Sequence, residues 1–115
     1  MNSSVSAIAS SGLRAAQMRM DVSANNVANA STPGFRPQSV QEEAVPGQGG
    51  VAARVKPATG APAPAQGGEA AAAPSGTSLE GEAVDQLSAS YAFTANLQVL
   101  RTNDRMMGAL LDVRA

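Results

Sequence analysis

The segment Thr32-Pro33-Gly34-Phe35 stops a helix that nothing ahead of it opposes. From Ser3 to Ala30 every residue can sit in a helix. Pro33 then removes a backbone donor and pushes Thr32 out of the helical region. Gly34 supplies the freedom that a sharp reversal needs, and Phe35 follows at once. A chain with this segment folds back on itself after one long helix. Just before the stop come three amides, Asn25, Asn26 and Asn29. Asn forms helices poorly, so three together either fray the helix end or bond to something beside it. Asn25 and Asn29 are four apart and share a face.

The first helix spans residues 3–30, with Ser3 or Ser4 as its cap. Val5, Ile8, Gly12, Leu13, Ala16, Met20, Ala24 and Val27 recur at steps of three and four. Leu13, Met20 and Val27, seven apart, form a short seam of coiled-coil type. At about 1.5 Å per residue this helix is roughly 40 Å long, more than a small globule needs. Residues 31–43 read as a turn and an extended arm kept open by Pro37, with Val40 in a small strand or hairpin. Residues 44–78 are roughly two-thirds Ala, Pro and Gly, well above ordinary usage. They read as a flexible, largely irregular segment with one short strand around Val51, Arg54 and Val55. Ala61-Pro62-Ala63-Pro64-Ala65 is a semi-extended spacer and Gln66-Gly67-Gly68 a flexible one.

Residues 78–113 read as a second, longer helix. Thr77 caps it and Glu80 reaches back, as in a capping box. One apolar stripe runs through Val84, Leu87, Tyr91, Ala95, Val99, Thr102, Met106, Leu110 and Val113. A second runs through Phe93, Leu97, Leu100, Met107 and Leu111. One stripe is enough to pack on the first helix, so the other needs a partner. The expected division gives the hairpin Leu13, Met20, Val27, Leu87, Tyr91, Val99, Met106 and Leu110. It gives neighbouring molecules Phe93, Leu97, Leu100, Met107 and Leu111.

Composition narrows the function. The 115 residues hold no Cys, His or Trp, and the net charge is −1. Without His or Cys the commonest general base, metal ligand and thiol nucleophile are missing. The acidic pairs Glu42-Glu43 and Glu80/Glu82 lie in an arm and at a helix start, where the helix dipole accounts for the second. No catalytic, metal or cofactor site is expected. A near-neutral chain offers no electrostatic footprint for nucleic acid. No apolar run is long enough to span a membrane, and Met1–Ser6 carries no basic side chain, so neither membrane insertion nor a cleaved secretory signal is expected.

Two stretches resemble the bacterial flagellar axial proteins. The first is Ser11-Gly12-Leu13-Arg14-Ala15-Ala16-Gln17-Met18-Arg19-Met20-Asp21-Val22 running into Ala24–Phe35. The second is Tyr91 followed by Asn96, Val99, Thr102, Asp104, Met107 and a closing Leu110-Leu111. The resemblance implies a mainly α fold. Its two long terminal helices pack as an antiparallel, coiled-coil-like hairpin around a variable middle. It divides the chain into 1–36 (helix and turn), 37–78 (variable segment) and 79–115 (second helix), one structural unit overall. It also implies a structural subunit of the basal-body rod, most like a short proximal-rod subunit. Such a subunit polymerises with itself and other rod subunits into the drive-shaft tube, after passage through the flagellar type III export apparatus. The competing expectation is a non-exported helical-hairpin adaptor, or a rod-like paralogue with another assembly role. Asn25, Asn26, Asn29 and Asn96 are candidates for setting register across the helices, and Asn25, Asn26, Asn29, Pro33, Gly34 and Phe35 form the motif and turn.

Overall fold

A computed structural model describes residues 2–58 and 74–113. Four elements follow one another: α1 (Asn2–Ala28), β1 (Ser39–Ala44), β2 (Val51–Lys56) and α2 (Leu79–Asp112). The spacers Ala61–Ala65 and Gln66–Gly68 lie outside the described residues. Helix α1 is the middle of the molecule. Both α2 and the hairpin pack on it, and they do not pack on each other.

The turn forms as its residues dictate. The amide of Thr32 donates to the Asn29 carbonyl, and that of Phe35 to the Thr32 carbonyl. Gly34 takes φ of 72°, a conformation that costs a side-chain-bearing residue energy. The Asn29 side chain closes the helix end, its Nδ2 donating to the Asn25 carbonyl at 2.9 Å while its Oδ1 accepts from Thr32 Oγ1 at 3.2 Å.

The chain beyond the arm is more ordered than its composition suggests. β1 and β2 pair antiparallel, with Ser39 opposite Lys56 and Ala44 opposite Val51. The strands expected at Val40 and around Val51, Arg54 and Val55 both form, and the expectation of a largely irregular 37–78 is corrected over 39–56. Val40, Val51 and Ala53 share one face by this register and are half-buried. A two-stranded ribbon is marginal alone, and α1 supplies the surface that it needs. The Gly-rich run Gly47-Gln48-Gly49-Gly50 is the loop of this hairpin. Gly50 has φ of 99°, and a Cβ there would come within 2.6 Å of Ser11 Oγ.

Helix α2 begins one residue later than its sequence suggests. Ser78, not Thr77, is the cap: its Oγ accepts from the Gly81 amide at 3.2 Å and donates to Glu80 Oε2 at 3.3 Å. Likewise Ser3 and Ser4 lie inside α1, which starts at Asn2. We expect Ser78→Ala to destabilise the fold by about 1 kcal/mol, and Thr77→Ala to do less, in matched denaturant melts.

The two helices run antiparallel. Ser6 meets Asn103 near one end, Gly12 meets Asn96 in the middle, and Ser23 meets Glu82 near the other. On α2 the half-buried and buried positions are Glu82, Gln86, Ala89, Phe93, Asn96, Leu100 and Asn103, with Ala92 and Leu97 beside them. The expected division of stripes is therefore reversed at most positions, though Met107 and Leu111 stay on the outer side as expected. Phe93, Leu97 and Leu100 lie on the hairpin side. Leu87, Tyr91, Val99, Met106 and Leu110, expected to hold the hairpin, are exposed; Tyr91 is 69% exposed and Leu110 63%. Thr102 is exposed with them. Met107 and Leu111 are exposed as well.

The same offset appears on α1. Leu13 and Met20 are half-buried and Val27 is exposed. The buried positions are the small residues Ala9, Ala15, Ala16 and Ser23, together with Val22 and Asn26. Small side chains let two helix backbones approach, and close approach buries them fully. Large side chains flank such a seam rather than fill it.

Candidate structural joint at Asn26

Asn26 is 1% exposed, the largest of the fully buried side chains. It sits in the last turns of α1, where β1 begins on one side and α2 on the other. Its Nδ2 donates to the Gln38 carbonyl at 2.7 Å and to Glu82 Oε1 at 2.8 Å. Its Oδ1 accepts from the Gln38 amide at 2.8 Å. The side chain thus meets both backbone groups of Gln38, as a neighbouring strand would. Both amide protons and the amide oxygen are used, so a buried polar group carries no desolvation cost without return. Ser23 reinforces the joint by donating to the Glu82 carbonyl at 3.2 Å.

One turn earlier, Arg19 extends the joint. Its Nη2 donates to Ser88 Oγ at 3.2 Å, and the guanidinium lies 3.6 Å from Asp85 and 3.9 Å from Glu42. These ion pairs are partly open to water and contribute little individually. Their arrangement matters more, because one side chain faces both α2 and β1. A cavity of about 240 Å³ opens here, bounded by Arg19, Asn26, Val40, Glu42, Glu82 and Asp85. The arrangement is a mechanical joint. At the far end of the hairpin Ser11 makes a smaller one, its Oγ accepting from the Val51 amide at 3.0 Å and donating to the Ile8 carbonyl.

The other amides play separate parts. Asn25 is exposed, and its carbonyl accepts from the Asn29 amide and side chain. Asn25 and Asn29 therefore close their own helix rather than bridge two. Asn96 donates to the Ala92 carbonyl of its own helix, while its side chain lies against Gly12. The amide that crosses between helices near that end is Asn103, which donates to Ser6 Oγ at 2.9 Å. Sequence reasoning missed Asn103, Ser6, Arg19 and Glu82 as partners. The available signal was the run Ala9, Gly12, Ala16, Arg19, Ser23, Asn26, which alternates steps of three and four. Pro33 and Gly34 are exposed, and Phe35 is half-buried with its carbonyl accepting from the Gly76 amide.

The segment from the second turn of α1 to the end of this turn is also similar to known proteins. Residues 7–36 match the family of flagella basal body rod proteins. That rod-family segment contains Ser11, Gly12, Arg19, Ser23 and Asn26, together with the whole turn. The match supports a structural role in the flagellar basal-body rod. No curated protein matches the chain. Among the described residues, no helix is long and apolar enough to cross a membrane.

Proposed function

We propose that this chain is a structural subunit of the flagellar basal-body rod, of the short proximal-rod kind. It polymerises through its paired terminal helices into the drive-shaft tube. The observation that carries this proposal is the outer face of α2. Val84, Leu87, Tyr91, Val99, Met106 and Leu110 are all exposed along a helix of 34 residues, about 50 Å. An apolar stripe of that length is costly on a solitary molecule and marks an interaction surface. The hairpin itself is coiled-coil-like, since the α2 positions facing α1 alternate steps of four and three. Asn26 shapes the inner joint and Asn25, Asn29, Pro33, Gly34 and Phe35 the turn beside it, while Leu87, Tyr91, Val99, Thr102, Met106, Met107, Leu110 and Leu111 meet neighbours. Head-to-tail contacts between two different, complementary surfaces of identical subunits generate such a tube when they do not close into a ring. Passage to the rod is through the flagellar export apparatus.

The test is Leu87→Ser with Leu110→Ser. The purified double variant should keep its far-ultraviolet circular dichroism, lose sedimenting assemblies and vanish from isolated basal bodies. A variant that still enters basal bodies in normal amount removes the outer stripe as the assembly surface. If the unaltered chain is absent from basal bodies and stays monomeric at high concentration, the rod proposal itself falls.

A further inference from the structure

The hairpin presents two outer edges of opposite charge. The amide of Val45 donates to the Gly50 carbonyl at 3.0 Å. In an antiparallel ladder that bond sets which groups point inward at alternate positions. By this alternation Val40, Glu42 and Ala44 turn their backbone groups outward from β1, and Val51, Ala53 and Val55 turn theirs outward from β2. Two independent contacts agree. Gln38, in phase with the first set, is met by Asn26, and Val51 is met by Ser11. Helix α1 thus caps each outer edge at one end only. Among the described residues the sheet has two strands, so the rest of each edge has no neighbouring strand.

The charges divide the same way. β1 carries Glu42 and Glu43, and β2 carries Arg54 and Lys56. A groove of about 200 Å³ beside β2 is bounded by Arg14, Ala15, Met18, Val51 and Ala53, which adds a third cation on that side. The groove beside β1 has Glu82 and Asp85 on its far wall, with Arg19 of α1 between Asp85 and Glu42, which leaves Glu43 as the β1 carboxylate without an ion-pair partner among the described residues. Like charges on both edges would block pairing between copies; unlike edges favour it.

We propose that the β2 edge of one molecule pairs with the β1 edge of a second copy of this chain, giving a continuous antiparallel sheet along the assembly. Glu43 of one copy then lies beside Arg54 of the next, on the face of the sheet turned away from α1. The contact rests on the self-association proposed above and is separate from the outer stripe of α2. It explains why a ribbon too small to stand alone keeps two charged, oppositely signed edges.

The chain has no cysteine, which allows a direct test. Glu43→Cys and Arg54→Cys are made as separate single variants, both at exposed positions. The two are mixed under assembling conditions and oxidised. Disulfide-linked heterodimers in excess of either homodimer are the expected result. Assemblies that form without that excess overturn the edge pairing and leave the self-association intact. No assembly from either variant or from the unaltered chain overturns both. As a second arm, Arg54→Glu alone should reduce assembly at least tenfold, and mixing with Glu43→Lys should restore it. Equal assembly by Arg54→Glu and the unaltered chain also overturns the pairing.

Discussion

Replacing Asn26 by Asp unfolds the joint between the three parts of the molecule. The substitution keeps the shape of the side chain but removes Nδ2, the atom that donates to both the Gln38 carbonyl and Glu82. It also sets a second carboxylate against Glu82 in a site that is 1% exposed at Asn26. Asn26→Ala makes a milder comparison. It leaves the Gln38 amide and carbonyl without their partner, a loss of about 2–3 kcal/mol for stranded polar groups. Asn26→Asp should cost more than that, because repulsion is added to the loss of the donor. A small domain holds only about 5–15 kcal/mol in total, so either change is a large fraction. The measurement is a pair of denaturant melts with amide exchange. Protection of residues 39–44 should be lost first and protection of α1 near Gly12 last. If Asn26→Asp melts within about 0.5 kcal/mol of the unaltered chain, the joint is not what holds the hairpin.

Gly12→Leu should be nearly as damaging, by a different route. A Cβ built at Gly12 lies 2.6 Å from Asn96 Oδ1, so the Asn96 side chain fills the space that a side chain at position 12 would take. Leucine must push α2 away over the middle of the seam, at a cost of about 3 kcal/mol for an overpacked core. Gly12→Ala separates the two forces at work. Alanine gains about 1 kcal/mol of helix propensity over glycine, but Asn96 has to swing out of its bond to Ala92. The net effect should be small. In an Asn96→Ala background the same change should become stabilising by about 1 kcal/mol, and that difference is the coupling between the positions. Additive effects in the double-mutant cycle would mean that the close approach carries no energy.

Both predictions concern residues whose importance was only half legible beforehand. The two helices and the turn at Pro33-Gly34 follow from local chemistry, which periodicity and backbone restriction report directly. The candidate amides were visible as unusual, but their roles were not. Asn25 and Asn29 drew notice by sharing a face, yet they bond within their own helix end. Asn26, one position away, reaches two other elements. The hairpin was visible only as short valine-containing runs inside an Ala, Pro and Gly-rich stretch, since its stability comes from α1.

The apolar stripes are the clearest case. Sequence periodicity established that α2 has two, because spacing along one helix depends on nothing but that helix. Which stripe faces inward depends on the partner surface. α1 offers Ala9, Gly12, Ala16 and Ser23, a narrow seam that lets backbones come close, and this seam accepts Phe93, Asn96 and Leu100 rather than Leu87, Tyr91 and Val99. The two long helices and the reversal between them were therefore determined by the sequence alone. The choice of buried face, and the joint at Asn26, arose only when distant segments met, because burial is a property of pairs of surfaces.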